Sequence, residues 1–143
     1  MKTFCMRTSK IFVTVDAVIL RKSADYELLL IKRKNEPFKD CWALPGGFVD
    51  ENEDLKAAAI RELEEETQIK VADLEQIGAF GKPFRDPRSH VVSVAYFGIV
   101  PENTVAVAAD DAKETGWFNI KDLPKLAFDH SDIVTLSLQK FTL

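Results

Sequence analysis

A mixed β-sheet sandwiched between α-helices, an α/β fold, is the architecture that this sequence predicts, and three observations carry the expectation. Runs of β-branched and aliphatic residues of strand length recur along the chain. A segment of strong helix formers without Gly or Pro, residues 55–67, interrupts them, and an amphipathic segment, residues 129–140, closes the sequence. Because strands and helices alternate in the chain, the helices are expected to cover the faces of the sheet. With 143 residues, 46% of them hydrophobic, the chain is expected to form one domain spanning residues 1–143. A chain of that size buries roughly two-thirds of its unfolded surface without staples.

Taken in order, residues 11–20 and 26–32 read as two strands around the polar turn 21–25. Residues 35–40 read as a loop, and residues 41–49 as a short strand closed by the irregular backbone of Pro45-Gly46-Gly47. Asp50 and Asn52 are candidate N-caps for the helix at 55–67, with Glu53 and Asp54 suited to its first turn. Residues 71–80, 91–100 and 115–119 follow as strands, 105–108 is a further short candidate, and 129–140 is the closing helix.

Composition excludes several function classes. A net charge of −4 and a pI near 5.2 oppose a general nucleic-acid binder, whose affinity would come from clustered Lys and Arg. Cys5 and Cys41, without CxxC spacing or a His cluster, suggest neither a disulfide framework nor a zinc site. The first ten residues are mixed and polar, and Asp16 breaks the apolar run 11–20, so neither a signal peptide nor a membrane span is expected. A reducing cytoplasm is the expected setting.

The chemistry concentrates in Arg61-Glu62-Leu63-Glu64-Glu65-Glu66. At about 100° per residue, Glu62, Glu65 and Glu66 share a helical arc of roughly 100°, while Glu64 points elsewhere. Ala59, Ile60 and Leu63 form an adjacent apolar stripe that can pack on a sheet. A solvated acidic surface is the ordinary reading of such a run. Here, however, Glu62 and Glu66 are like charges at i,i+4, and the acids sit where the helix dipole favours cations. Arg61 alone cannot offset them, so a divalent cation is the natural missing charge, and oxygen-only ligands point to Mg²⁺ or Mn²⁺. Gly46-Gly47, just upstream, lets backbone approach a ligand closely and can leave a carbonyl for the metal; a plain turn is the alternative.

Together these residues resemble the Nudix signature, G-x5-E-x7-R-E-U-x-E-E-x-G-U with U aliphatic. Gly47, Glu53, Arg61, Glu62, Leu63, Glu65, Glu66 and Ile69 match at the required spacing, and Gln68 stands where the pattern has Gly. The missing Gly would suit a helix end with positive φ, and its loss removes no carboxylate. The resemblance implies the Nudix fold, with Glu62, Glu65 and Glu66 as metal ligands and the Gly46 carbonyl as a further one. It also implies that Arg61 orients a carboxylate and that Glu53 supports the joint between loop and helix. Metal-neutralised diphosphate would then be attacked by water, deprotonated by Glu65 or by an acid outside the signature. Asp110, Asp111 and Glu114 form an acidic cluster where relatives often place such an acid, and Glu114 is the candidate; surface acids are the alternative. Many relatives are homodimers.

A second resemblance, to bacterial ADP-ribose pyrophosphatases, rests on Arg85-Asp86-Pro87-Arg88, on residues 91–100 and on Leu126-Ala127-Phe128-Asp129-His130. It implies a small nucleotide substrate cleaved to AMP and ribose 5-phosphate. Arg85 and Arg88 would bind phosphate or the terminal ribose, and His130 would bind nucleotide or cap the last helix with Asp129. Phe38, Trp42, Phe84 and Phe128 could stack adenine or belong to the core. A (d)NTP or another sugar nucleotide is the alternative substrate. A non-catalytic ADP-ribose sensor, as in Nudix-related transcription regulators, is the alternative class, and the intact glutamates oppose it. A Ca²⁺-binding scaffold lacks EF-hand spacing.

Overall fold

The computed structural model describes residues 9–143; Cys5 and most of the N-terminal stretch lie outside them. Seven strands form one mixed sheet: β1 (Phe12–Lys22), β2 (Tyr26–Arg33), β3 (Trp42–Ala43), β4 (Gly46–Phe48), β5 (Glu75–Phe80), β6 (Val91–Val100) and β7 (Ala112–Asn119). Helix α1 is Leu55–Thr67 and α2 is His130–Lys140. The order is β3-β2-β1-β6-β5, with β4 added to β1 and β7 to β2. β1 and β6 run parallel from Phe12↔Val91 to Arg21↔Val100, and the other pairings are antiparallel.

The two faces of the sheet read directly from the period-2 alternation of β1 and β6. Val15, Ala17 and Ile19 on β1, with Val94 and Tyr96 on β6, pack against Ala58, Ala59 and Leu63 of α1. Val18 and Leu20, with Ala95 and Phe97, pack against Ile133 and Val134 of α2 on the opposite side. Strands covered on both faces carry continuous apolar runs, which is why β1 and β2 show so little alternation in the sequence. Among the described residues, no helix is long and apolar enough to cross a membrane.

A division of labour along β1 opens a cleft. Its first half pairs with β4 (Thr14↔Phe48 to Asp16↔Gly46) and its second half with β2 (Leu20↔Leu28 to Lys22↔Tyr26). The chain between β3 and β4 must cross this split, and Leu44 and Pro45, which belong to neither strand, make the crossing.

Several boundaries depart from the sequence expectation. The N-cap of α1 is Asp54, whose side chain accepts from Ala57 N at 3.3 Å, and neither Asp50 nor Asn52 has that role. β5 starts at Glu75, later than residue 71. Residues 105–108 form no strand: Val105 is 74% exposed, and the amides of Val107 and Ala109 donate to Thr67 O and Glu66 O. Those amides serve the unpaired carbonyls at the end of α1, and a ladder partner is therefore not needed. Asp129 caps α2 without a side-chain bond, because Arg85 holds its carboxylate from the 81–90 loop (Nη2–Oδ1 2.6 Å, Nε–Oδ2 2.9 Å).

Gln68, at the position of the missing glycine, adopts φ 60° as the C-cap of α1 and donates its N–H to Glu64 O. A left-handed L-residue costs roughly 1–2 kcal/mol, and Gly's larger unfolded entropy takes back part of that. Gln68→Gly should therefore raise stability by about 0.5–1 kcal/mol, read as a higher denaturant midpoint with an unchanged slope; a lower midpoint would show that the Gln68 side chain contributes more than its strain.

Candidate active site

One side chain organises the C-terminal half of α1. Arg61 donates Nε to Glu53 Oε2 at 2.7 Å and Nη2 to Glu53 Oε1 at 2.8 Å, a bidentate pair of the strong, geometrically specific kind. Its Nη1 reaches Glu62 Oε1 at 2.9 Å and Glu65 Oε2 at 3.1 Å, and Nη2 also donates to the Phe48 carbonyl at 3.2 Å. Glu53 Oε1 accepts in turn from Asp50 N at 3.0 Å. Arg61 and Glu53 thus tie the 48–53 loop to the helix. The Arg61 bonds hold the Glu53 carboxyl down to about 2, and the same contacts raise the guanidinium.

The three glutamates of the expected arc separate by burial. Glu62 and Glu66 line a cleft of 380 Å³, while Glu65 lies on its outer flank with a side chain 43% exposed and bonded to Arg61. Burial pushes the Glu62 carboxyl up, with Arg61 opposing. Burial pushes the Glu66 carboxyl up to about 8 even though Gly46 N–H donates to it, and the nearby acids Glu62, Asp111 and Asp16 add to the effect.

Both glycines are required by close approach. A Cβ on Gly46 would lie 2.1 Å from Val15 O and 2.6 Å from Asp16 Oδ1, and one on Gly47 would lie 2.6 Å from the Glu62 carboxyl carbon. The β1–β4 ladder bonds Ala17 N to Pro45 O and Val49 N to Val13 O, so by alternation Val15↔Gly47 is a bonded pair and Asp16↔Gly46 an unbonded one. Both polar groups of Gly46 consequently turn away from β1. The N–H meets Glu66 Oε1 at 2.7 Å, and the carbonyl faces the same side.

Among the described residues, no three metal-ligating side chains converge on one point, because Arg61 draws Glu62 and Glu65 toward itself. The donors available are nonetheless all oxygens, and the buried Glu66 carboxylate forms no salt bridge among the described residues, Arg33 acting on it only at a distance. That donor set suits a hard divalent cation, which Glu62, Glu66 and the Gly46 carbonyl would hold.

The other sequence candidates fall into place unevenly. Glu114 stands on β7 opposite Lys32, pairs with it at 3.3 Å and lies outside the cleft; Asp110 and Asp111 of the same acidic cluster line it instead. Arg88 lines the cleft, packed over the Phe48 and Phe128 rings and held by Asp86 (Nη2–Oδ2 2.7 Å). Arg85 borders the cleft too, but its side chain is 4% exposed and its fork is occupied by Asp129. Of the aromatics, Phe128 lines the cleft with Phe38 packed on it, Trp42 packs on Phe118 in the core, and Phe84 is 94% exposed to solvent. His130 is buried: Nδ1 accepts from Leu44 N at 3.0 Å and Nε2 lies 3.4 Å from Asp16 Oδ1. Burial lowers its pKa, so the ring is neutral near pH 7.

Sequence reading missed Asp16, Asp86 and Ser93, each of them buried. Asp16 had a signal: a lone carboxylate inside an otherwise apolar strand is costly unless a partner waits for it.

Comparisons with known proteins agree with this geometry. An ADP-ribose pyrophosphatase of Methanocaldococcus jannaschii is 46% identical over 122 residues, covering 85% of this chain and 70% of that protein. The structure resembles a MutT/nudix family protein from Enterococcus faecalis at a TM-score of 0.89 and 34% identity, over 98% of this chain but only 65% of that one. It also resembles the NUDIX domain of Shewanella oneidensis NrtR in complex with ADP ribose, at a TM-score of 0.85 and 30% identity, over 93% of this chain and 90% of that one. The family model for the NUDIX domain matches residues 10–137, and the chain whose Arg61 hub and cleft glutamates are described above therefore belongs to the NUDIX family.

Proposed function

We propose that this protein hydrolyses ADP-ribose to AMP and ribose 5-phosphate in a Mg²⁺-dependent reaction. The observation that carries the reading is the polarity of one cleft: Glu62, Glu66 and the Gly46 backbone form its acidic end, and Arg88 and Phe128 line it elsewhere. A diphosphate flanked by sugars suits both parts. The likeness to the archaeal ADP-ribose pyrophosphatase and to the NrtR domain bound to ADP ribose supports the choice of substrate.

Chemically, the oxygen of water attacks one phosphorus of the diphosphate, the bridging P–O bond breaks, and the bridge oxygen leaves with the other phosphate. A divalent cation bound among these carboxylates supplies charge neutralisation for the phosphate oxygens. The protein's own share is positional. Arg61 and Glu53 fix the loop that carries Gly46 and Gly47, and the absence of a Cβ at Gly47 leaves room for Glu62. Arg88, half-exposed with its guanidinium anchored on Asp86, presents its remaining N–H groups to an anionic or polyol ligand. The proton of the attacking water goes to Glu65 or to the Asp110–Asp111 pair. Glu65→Gln against Asp110→Asn and Asp111→Asn separates them, since loss of the base lowers kcat with little change in KM.

Steady-state kinetics on ADP-ribose, dinucleotide polyphosphates, sugar nucleotides and (d)NTPs tests the substrate. The highest kcat/KM is expected for ADP-ribose; a (d)NTP turned over better, or tight ADP-ribose binding without turnover, would overturn the proposal. Glu62→Gln and Glu66→Gln should each lower turnover by about a hundredfold or more. Glu64→Gln, on the solvent side of α1, should stay close to wild type.

The two arginines of the 85–88 turn should now behave differently. Arg88→Ala is expected to raise KM severalfold, and because it strands the buried Asp86 it should also cost about 2–4 kcal/mol of stability. Arg85→Ala strands Asp129 and should cost about 2–4 kcal/mol, below the full cost of breaking a buried pair because Asp129 keeps some solvent contact. A wild-type KM in folded Arg88→Ala, or a KM raised as much by Arg85→Ala, would contradict this division.

A further inference from the structure

Buried polar side chains interrupt the apolar face of the sheet that packs on α2: Thr14 and Asp16 of β1 and Ser93 of β6. Strand parity places Asp16 on that face with Val18 and Leu20, and Ser93 with Ala95 and Phe97. Ser93 Oγ donates to Asp16 Oδ2, and the His130 ring lies against Asp16 Oδ1. Because Nδ1 of His130 accepts from the Leu44 amide, the ring proton is on Nε2, the nitrogen facing Asp16. Asp16, Ser93 and His130 are all buried.

Packing does not call for these residues. Apolar side chains fill most of this face, and replacing a buried polar cluster by hydrophobes of similar volume is often neutral or stabilising. What the cluster touches is the crossing between β3 and β4. His130 holds the amide of Leu44, a Cβ added at Gly46 would come within 2.6 Å of Asp16 Oδ1, and the Gly46 amide holds Glu66 Oε1 at 2.7 Å. A continuous run of bonds and contacts leads from the first residue of α2, through the irregular segment, to the most buried carboxylate of α1.

We propose that His130, Asp16 and Ser93 act as a positioning unit, holding the Leu44–Gly46 segment, and through Gly46 the Glu66 carboxylate, in the arrangement that receives a divalent cation. Asp16 and His130 border the same cleft, and the role assigned to them is to hold the segment, not to ligate the cation. That role rests on the reading of Glu62, Glu66 and the Gly46 carbonyl as a cation site, and not on the identity of the substrate. Supporting groups around metal ligands commonly contribute ten- to hundredfold in metal affinity.

The test is Mn²⁺ binding without substrate, by electron paramagnetic resonance of the free ion, with circular dichroism and thermal midpoints reporting the fold. His130→Phe keeps the ring volume but removes both nitrogens, and should weaken Mn²⁺ by about tenfold or more. In His130→Asn, Oδ1 can replace Nδ1 as the acceptor for Leu44, so this variant should recover most of the affinity. Wild-type affinity in folded His130→Phe, or equal losses in both variants, would overturn the proposal while leaving the metal site intact. Absence of Mn²⁺ binding by the wild type would overturn it together with the metal-site reading. Should His130→Phe not fold, Ser93→Ala decides: a severalfold loss supports the unit, and wild-type affinity overturns it.

Discussion

The hydrogen-bonding capacity of Arg61 is the constraint on which this site depends. Four carboxylates fall in the last two turns of α1, where neither the helix dipole nor their mutual charge favours them. One guanidinium engages Glu53, Glu62, Glu65 and the Phe48 carbonyl, and so converts local repulsion into a joint between helix and loop. It does not reach Glu66. That carboxylate is buried with a backbone amide as its bonded partner, and burial among the neighbouring acids Glu62, Asp111 and Asp16 pushes its pKa up.

The sheet supplies the second requirement, which is space. β1 changes partner along its length, from β4 to β2, and the split is where the backbone of Gly46 and Gly47 comes up against Asp16 and Glu62. Side chains larger than hydrogen cannot occupy either glycine position without displacing backbone or a carboxylate. The parallel pair β1–β6 lies behind this junction, and the helix that carries the acids packs on it through Ala58, Ala59 and Leu63.

The sequence was informative where one strong local rule applied and silent where long-range contacts decided. The helix, its acidic arc and the paired glycines follow from periodicity, charge and backbone freedom, and all stand where expected, with the arc thinned to Glu62 and Glu66 at the cleft. Arg85 and His130 sit at the right end of the molecule, yet their polar atoms are taken by Asp129, Leu44 and Asp16, partners that no local pattern reveals. Glu114 was misplaced because β7 begins earlier than expected and turns its side chain toward Lys32, outside the cleft. Residues 105–108 have the composition of a strand, but their amides complete the end of α1. The positive φ at Gln68 was legible from the missing glycine alone.

Hydrolysis of ADP-ribose in ¹⁸O-labelled water, with and without Mg²⁺ and with both products analysed by mass, is the most direct test of the central claim that these carboxylates serve water attack on a diphosphate. The account predicts AMP and ribose 5-phosphate, formed only with the metal, with a single labelled oxygen entering one of the two phosphates per turnover. Recovery of intact, unlabelled ADP-ribose under saturating Mg²⁺ would contradict it.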